Sequence, residues 1–267
     1  MNKAKLKISI ITICYNNESD IQKTIESVIA QSYDHIEYIV VDGASTDNSL
    51  NIINEYSEKV DKIISEPDNG IYDAINKGIT SSTGDIVGLI HAGDRLINTQ
   101  VLGKIAAHFT ENEIDASYGH SIIVNSSDSP VRVNKSPEFR KSLFKFGWMP
   151  SHQSVYIKRE VFDRLGLYRT DLGGAGDYEF VLRYFYFNDL KIKRLDEFIV
   201  KFALGGESTT DYHRIPKRQK VHVKCWKVNG ESPPSYMVPV KLLRKTNQFV
   251  LAFWYRFTKK HEQVFSM

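Results

Sequence analysis

The sequence is poor in cysteine: two residues, Cys14 and Cys225, with no CxxC pair and no Cys/His spacing of a zinc site. That excludes a disulfide scaffold and makes reduced thiols in a cytoplasmic compartment the expectation. Long apolar runs are missing as well, since no stretch reaches the roughly 20 residues of a membrane-spanning helix. One run, Ile8 to Cys14 behind Lys3, Lys5 and Lys7, imitates a signal peptide. It is of about minimal length, lacks a small-x-small cleavage site and passes straight into CYNNESD, so a buried strand is the better reading. Internal repeats, low-complexity tracts and a glycine-rich basic phosphate loop after that first strand are also absent. Neither charge sign is in excess, because 35 Lys and Arg against 32 Asp and Glu leave +3. What remains is an ordinary globular composition, 42% hydrophobic and 25% charged over 267 residues, enough to bury one large core. Aromatics are plentiful, with 14 Tyr, 14 Phe and 3 Trp, which suits a surface that stacks something flat or touches lipid.

The first half of the chain alternates strand and helix patterns. KISIITI (7–13), IEYIVVD (36–42), KIISEP (62–67) and GDIVGLI (84–90) read as strands, the first a β-branched run suited to a strand covered on both faces. Between them, Asn17 or Ser19 can cap a helix carrying Ile21, Ile25, Val28 and Ile29, Ser45 or Thr46 can start another, and GIYDAINKGI (70–79) reads as a third. This order predicts an α/β fold with a mostly parallel, Rossmann-like sheet flanked by helices and joined by right-handed crossovers. In such sheets ligands sit at the carboxyl ends of strands, near the point where strand order reverses. Tyr15 and Asn16, Asp42 and Gly43, Glu66 and Asp68, and His91 to Asp94 all lie just past those ends. The second half is less regular: a hairpin from ASYGHSIIV (116–124) and VRVN (131–134), a strand in HQSVYIK, a short helix in REVFDRLG, an apolar helix at 176–187 and a strand at 198–204.

Three strand-end segments and one helix start can carry chemistry. Asp42 in VVDGAST suits a base or ribose, or caps the following turn. In SEPDNGIYDAINKGI, Glu66, Asp68 and Asp73 crowd a turn that opens a helix, and Gly70 permits a close backbone approach. Acids there also complement a helix dipole. Asp94 in HAGD can hold a divalent cation against a diphosphate, or serve as a turn residue. Asp177 in GDYEF can take a proton from an attacking hydroxyl, or cap the apolar helix.

Taken in order, ISIITICYNNESDIQKTIESVIAQSY, EYIVVDGASTDNSL, SEPDNGIYDAINKG, TGDIVGLIHAGD, HQSVYIKREVFDRLG and GDYEFVLR resemble the family 2 glycosyltransferases, inverting enzymes of the GT-A fold, in the form that builds bacterial surface polysaccharide such as O-antigen. The likeness runs from about residue 7 to 208. It implies that Thr12, Tyr15 and Asn16 border the nucleotide and that Asp42 binds the uracil or ribose side. Asp68 and the segment Gly70 to Asp73 would line the nucleoside and donor sugar. Asp94 would end the family's metal-binding acidic segment, holding Mn2+ or Mg2+, and Asp177 would be the general base. His152, Gln153 and Glu179 would flank the donor sugar or the acceptor. Where the family commonly carries two or three acids, this chain has His91 and Gly93, leaving Asp94 alone. That departure leaves His91 either a metal ligand or a hydrogen-bond donor to the diphosphate.

The expected reaction moves a sugar from a nucleotide sugar, a UDP-hexose or UDP-N-acetylhexosamine, to a hydroxyl of a glycan or lipid-linked saccharide. A sugar-nucleotide nucleotidyltransferase shares the sheet, but the turn CYNNES offers no glycine-rich basic phosphate loop. A non-catalytic sugar-nucleotide-binding protein is the reading that the thinned acidic segment leaves open. Residues 1–215 read as the catalytic domain, with a nucleotide-sugar half (1–97) and an acceptor half (98–215). Residues 216–267 carry eleven Lys and Arg against Glu231 and Glu262, a balance of +9 interleaved with Leu242, Leu243, Phe249, Val250, Phe253, Trp254 and Phe257. Basic residues beside Trp and Phe suit a helix in a membrane interface, or one packing on the body. The expected location is cytoplasmic, peripheral at the inner face of the cell membrane. Nothing outside this tail favours nucleic acid, so none is expected as a partner.

Overall fold

The β-branched run forms the central strand of the protein, β1 (Ile8–Cys14), and every one of its residues is buried. The computed structural model describes residues 5–125, 127–203 and 215–257. From β1 the chain steps outward through α1 (Ile21–Ile29), β2 (Ile36–Asp42), α2 (Ser49–Glu55) and β3 (Lys62–Ser65). It then returns through α3 (Ile71–Ser81) to place β4 (Ile86–Leu89) on the opposite side of β1. These four strands are parallel, with Ile8 opposite both Ile36 and Ile86. The order β3-β2-β1-β4 therefore reverses between β1 and β4, which opens a crevice at their carboxyl ends.

Beyond β4 the sheet is mixed. β5 (Asp94–Leu96) follows at once, then α4 (Val101–Asn112), β6 (Ala116–Val124), β7 (Pro130–Asn134), α5 (Ser142–Lys145), β8 (Val155–Lys158), α6 (Arg159–Leu165), α7 (Gly176–Phe185) and β9 (Ile192–Ala203). β8 runs antiparallel to β4 and β6, β9 lies parallel to β6, and β5 pairs antiparallel with β9. The expected hairpin is β6 with β7. Nine strands among the described residues thus form one sheet. One face is covered by a core that includes Tyr72, Ile75, Phe180 and Leu182, the other by one that includes Ile21, Ile25, Leu102 and Ile105.

Local starts differ from the sequence reading for physical reasons. Neither Asn17 nor Ser19 caps α1: Asp20 occupies that place without a side-chain cap bond. α2 begins at Ser49 rather than at Ser45 or Thr46, because the backbone amides of Ser45 and Thr46 are taken by Asp42 and Asn16 from neighbouring strand ends. β9 starts six residues earlier than expected, since Ile192 to Arg194 pair with the first residues of β6.

The segment after 215 forms α8 (Ile215–Val228) and α9 (Met237–Phe257), separated by the Pro-rich break. Both pack on the body: Cys225, Trp226 and Met237 enter one core, Ala252 and Tyr255 the other. A fully buried side chain the size of Trp226 contributes on the order of 3 kcal/mol, so α8 is firmly docked. α9 also carries an outward row, Leu243, Val250, Phe253 and Trp254, all exposed. Of the basic tail, Lys259, Lys260 and Glu262 lie outside the described residues, as do the side chains of Lys217, Arg218, Leu242, Arg244, Lys245, Phe249, Arg256 and Phe257. Among the described residues no helix is long and apolar enough to cross a membrane.

Candidate active site

At the end of β1 the chain turns sharply: Asn16 adopts φ +47°, a left-handed conformation that Asn tolerates better than most residues. Its backbone N–H donates to Ser45 Oγ (2.9 Å), and its Oδ1 accepts from the Thr46 N–H (2.8 Å). Asp42, fully buried at the end of β2, accepts from the Ser45 N–H (3.1 Å) and Ser65 Oγ (2.8 Å). Asn16 and Asp42 therefore bracket the loop after β2. Thr12 is fully buried too, its hydroxyl paired with the Tyr38 hydroxyl (3.0 Å). Thr12 and Asp42 thus sit at the strand ends with their polar atoms engaged by neighbouring side chains and backbone.

Tyr15, just past the end of β1, is 64% exposed. A Cβ on Gly43 would stand 2.3 Å from Asp68 Oδ2 and 3.4 Å from the Tyr15 ring, so the bare glycine lets ring and carboxylate converge. The result is an aromatic shelf beside an acid. Asp68 Oδ1 also accepts from the Gly70 N–H (2.9 Å), and Gly70, at φ +106°, makes the bend into α3. Asp73 is occupied at that helix start, accepting from the Asn69 N–H (2.9 Å) and facing Lys77 (3.8 Å).

The other end of the crevice gathers residues from four distant parts of the chain. After β4, His91 meets His152 Nε2 to Nε2 at 2.9 Å. Burial, and then the neighbouring His152, hold His91 well below the usual imidazole range; burial lowers His152 as well, against the pull of Asp177. Nδ1 of His91 is buried without a hydrogen-bond partner. His152 Nδ1 lies 3.6 Å from Asp177 Oδ2, and Gln153 donates to Asp94 Oδ2 (3.2 Å). The adjacent pair His152-Gln153 thus bridges Asp177 to Asp94.

Asp177 is the second residue of α7, behind Ala175 at the cap and Gly176. It does not cap the helix, and its side chain is 30% exposed to the crevice. Its Oδ1 accepts from the Tyr178 N–H (2.7 Å) and the Tyr72 hydroxyl (3.3 Å). Tyr72 can approach because position 176 is glycine: a Cβ there would come within 2.8 Å of the Tyr72 ring. Tyr72 in turn stacks on Tyr168, which stacks on Phe180. In sequence, Tyr72 reads as one more apolar position of an amphipathic helix, so its hydroxyl contact was not legible there.

Glu179 is a correction. It is 1% exposed, paired with Arg183 Nε (2.9 Å) and bonded by Asn229 Nδ2 (3.2 Å), so it ties α7 to the end of α8 instead of facing sugar. The Arg183 partner, four residues on in the same helix, was the available signal.

Asp94 is nearly buried, and burial pushes its carboxyl up to about 8, with Gln153 opposing. A carboxylate so poorly compensated suits a cation. Among the described residues no three His, Cys, Asp or Glu side chains gather closely enough to hold a metal alone. The donor set therefore fits an ion held by one carboxylate, with substrate oxygens and water completing it, as Mg2+-like ions accept.

The model of the family described as Glycosyl transferase family 2 matches residues 9–166. An uncharacterized glycosyltransferase of Mycobacterium tuberculosis H37Rv is 32% identical over 178 residues, 66% of this chain and 68% of the relative. A PGL/p-HBAD biosynthesis glycosyltransferase of Mycobacterium bovis BCG is 28% identical over 207 residues, 76% and 79% of the two chains. Among solved structures, Staphylococcus aureus TarS 1–349 in complex with UDP-GlcNAc superposes with a TM-score of 0.65 at 19% identity, covering 92% of this chain and 79% of that one. A mannosyltransferase of Pyrobaculum calidifontis in complex with GDP-Man and Mn2+ gives 0.63 at 18%, covering 94% and 74%. At such identities these likenesses speak for the fold, which is GT-A. With more than half of its length matched by the family model, the chain belongs to glycosyl transferase family 2.

Proposed function

We propose that this glycosyltransferase moves a hexosyl or N-acetylhexosaminyl unit from a UDP-sugar to a hydroxyl of a glycan or lipid-linked saccharide, with inversion at the anomeric carbon. The observation that carries the reading is one crevice with Asp177 and Asp94 joined through His152 and Gln153, and the Tyr15–Asp68 shelf beside β1. The shelf suits the nucleoside, with the Tyr15 ring under a base. Asp94 would hold the Mn2+ or Mg2+ ion, which when bound neutralises charge on the departing diphosphate. The acceptor oxygen bonds to the anomeric carbon while its proton passes to Asp177; the bond from that carbon to the diphosphate oxygen breaks, and UDP leaves with the electron pair. His152 and Gln153 border the point of transfer.

Residues 1–215 supply this chemistry in this reading, and the 216–267 segment supplies a lipid-facing surface. Leu243, Val250 and Phe253 face outward on α9, within a segment of +9 balance that an anionic leaflet attracts. Changing all three to Ser should reduce co-flotation with phosphatidylglycerol vesicles about ten-fold while leaving the melting temperature in place. Undiminished flotation would count against the surface. Removing the whole segment is a poorer test, because Met237, Ala252 and Tyr255 belong to the core.

The reaction itself is tested by incubating the chain with a panel of UDP-sugars, Mn2+ and short lipid-linked acceptors, and weighing the products by mass spectrometry. A glycosylated acceptor is expected. Tight UDP-sugar binding with neither transfer nor hydrolysis would make the protein a binding module.

A further inference from the structure

We propose that His152 is the positioning residue of the base: its Nδ1–H orients Asp177 Oδ2 toward the attacking hydroxyl, with His91 fixing the tautomer of His152. This assignment rests on the transfer reaction above and changes the part played in it by both histidines.

The two oxygens of Asp177 have different surroundings. Oδ1 is engaged by the Tyr178 N–H at 2.7 Å and the Tyr72 hydroxyl at 3.3 Å. Oδ2 faces His152 Nδ1 at 3.6 Å, longer than a hydrogen bond and in the range that closes when substrate fills a site. Oδ2 is therefore the oxygen with lone pairs to spare for a proton.

The proton count in the histidine pair follows from one distance. Two imidazoles meeting Nε2 to Nε2 at 2.9 Å share a single hydrogen between those atoms. If His152 carried it, the His152 Nδ1 lone pair would face the Asp177 carboxylate. If His91 carries it, His152 accepts at Nε2 and presents Nδ1–H to Asp177, and both contacts are favourable. His91 then has a bare Nδ1, the atom that is buried without a partner. A bare nitrogen cannot donate to a diphosphate, so this tautomer removes the diphosphate-donor role that the sequence left open to His91 at Nδ1.

The surroundings hold both rings still. Before His152, Ser151 Oγ bonds Ser121 Oγ (2.7 Å) and takes a bond from Asn134 Nδ2 (3.1 Å), and Ser154 Oγ donates to the Ser151 carbonyl (2.8 Å). Beside His91, the Ala92 N–H is anchored on the Ile13 carbonyl of β1 (3.0 Å). Rings placed from β1, β6 and β7 meet at a residue of α7, which is what holding a carboxylate requires.

The experiment uses the full chain and two readouts. In the first, UDP release from a panel of UDP-glucose, UDP-galactose, UDP-GlcNAc and UDP-GalNAc is measured, with UDP itself as the binding probe. His152→Ala should lower kcat about 10- to 100-fold, the loss of one hydrogen bond to a charged group, with UDP affinity within about two-fold. His152→Asn, which keeps an N–H near Nδ1, should recover part of it. The double variant His152→Ala/Asp177→Asn should be no slower than Asp177→Asn, because a residue acting through Asp177 has nothing left to act on. Multiplying losses, or a shift confined to the donor KM, would overturn the assignment and place His152 on the donor sugar. In the second readout, independent of turnover, long-range 15N–1H spectra report the tautomers: protonated Nδ1 on His152 and protonated Nε2 on His91 are expected. The opposite pair overturns the proposal even if transfer proceeds. A wild-type chain inert to every sugar overturns the reaction, and with it the role given to His152.

Discussion

Asp177→Asn should lower the turnover of a UDP-sugar at least ~100-fold while UDP affinity and melting temperature stay close to wild type. The magnitude is the usual contribution of a positioned general base, and the variant isolates it because Asn has the same shape. Its Oδ1 can still accept from the Tyr178 N–H and the Tyr72 hydroxyl, the two contacts that fix the side chain. The helix does not depend on the charge as a cap, since Ala175 occupies that place. The shelf built from Tyr15, Gly43 and Asp68 draws on other strand ends. What is lost is the basic lone pair on Oδ2, and with it the acceptor that faces His152 Nδ1. Kinetics and calorimetric UDP binding check this together, and turnover within a few-fold of wild type would remove Asp177 from the base's position.

The second large effect falls on Asp94. Asp94→Asn should lower turnover by about 100-fold and abolish stimulation by Mn2+, because stabilising charge on a leaving diphosphate is worth several kcal/mol. Wild type adds a pH signature. Burial raises the free carboxyl to about 8, so below that pH an incoming cation must displace a proton. The Mn2+ concentration for half-maximal activity should therefore rise as pH falls from 8 to 6, by up to about ten-fold per unit, and level off above 8. Titrations of activity against Mn2+ at several pH values check it. A flat dependence would mean that the ion is not held by this carboxylate.

Several features were legible because local chemistry decided them. The continuous β-branched runs at 8–14 and 36–42 are buried strands in any packing, and polar residues directly after them mark a crevice in a sheet whose order reverses at β1. Asp94 was legible as an acid at such an end and Asp177 as an acid at a helix start, whereas the pair His152-Gln153 was marked by the family resemblance alone. Less legible were roles set by partners far along the chain. Ser45 and Thr46 look like helix starts until Asn16 and Asp42 take their amides. Asp42 is marked as a strand-end acid, but its bond from Ser65 on the neighbouring strand is set by the sheet register. Tyr72 reads as core until Gly176 makes room for its ring beside Asp177. In the tail, composition marks α9 as basic and aromatic but does not separate the face that packs, through Ala252 and Tyr255, from the row that points outward. Residues 258–267, part of that basic segment, lie outside the described residues.

The most direct test is stereochemical. With one base, Asp177, and direct displacement of the diphosphate, an α-linked UDP-sugar should give a β-linked product, read from the anomeric proton coupling in the NMR spectrum of the glycosylated acceptor. An α-linked product would contradict the single displacement on which the roles of Asp177 and His152 rest.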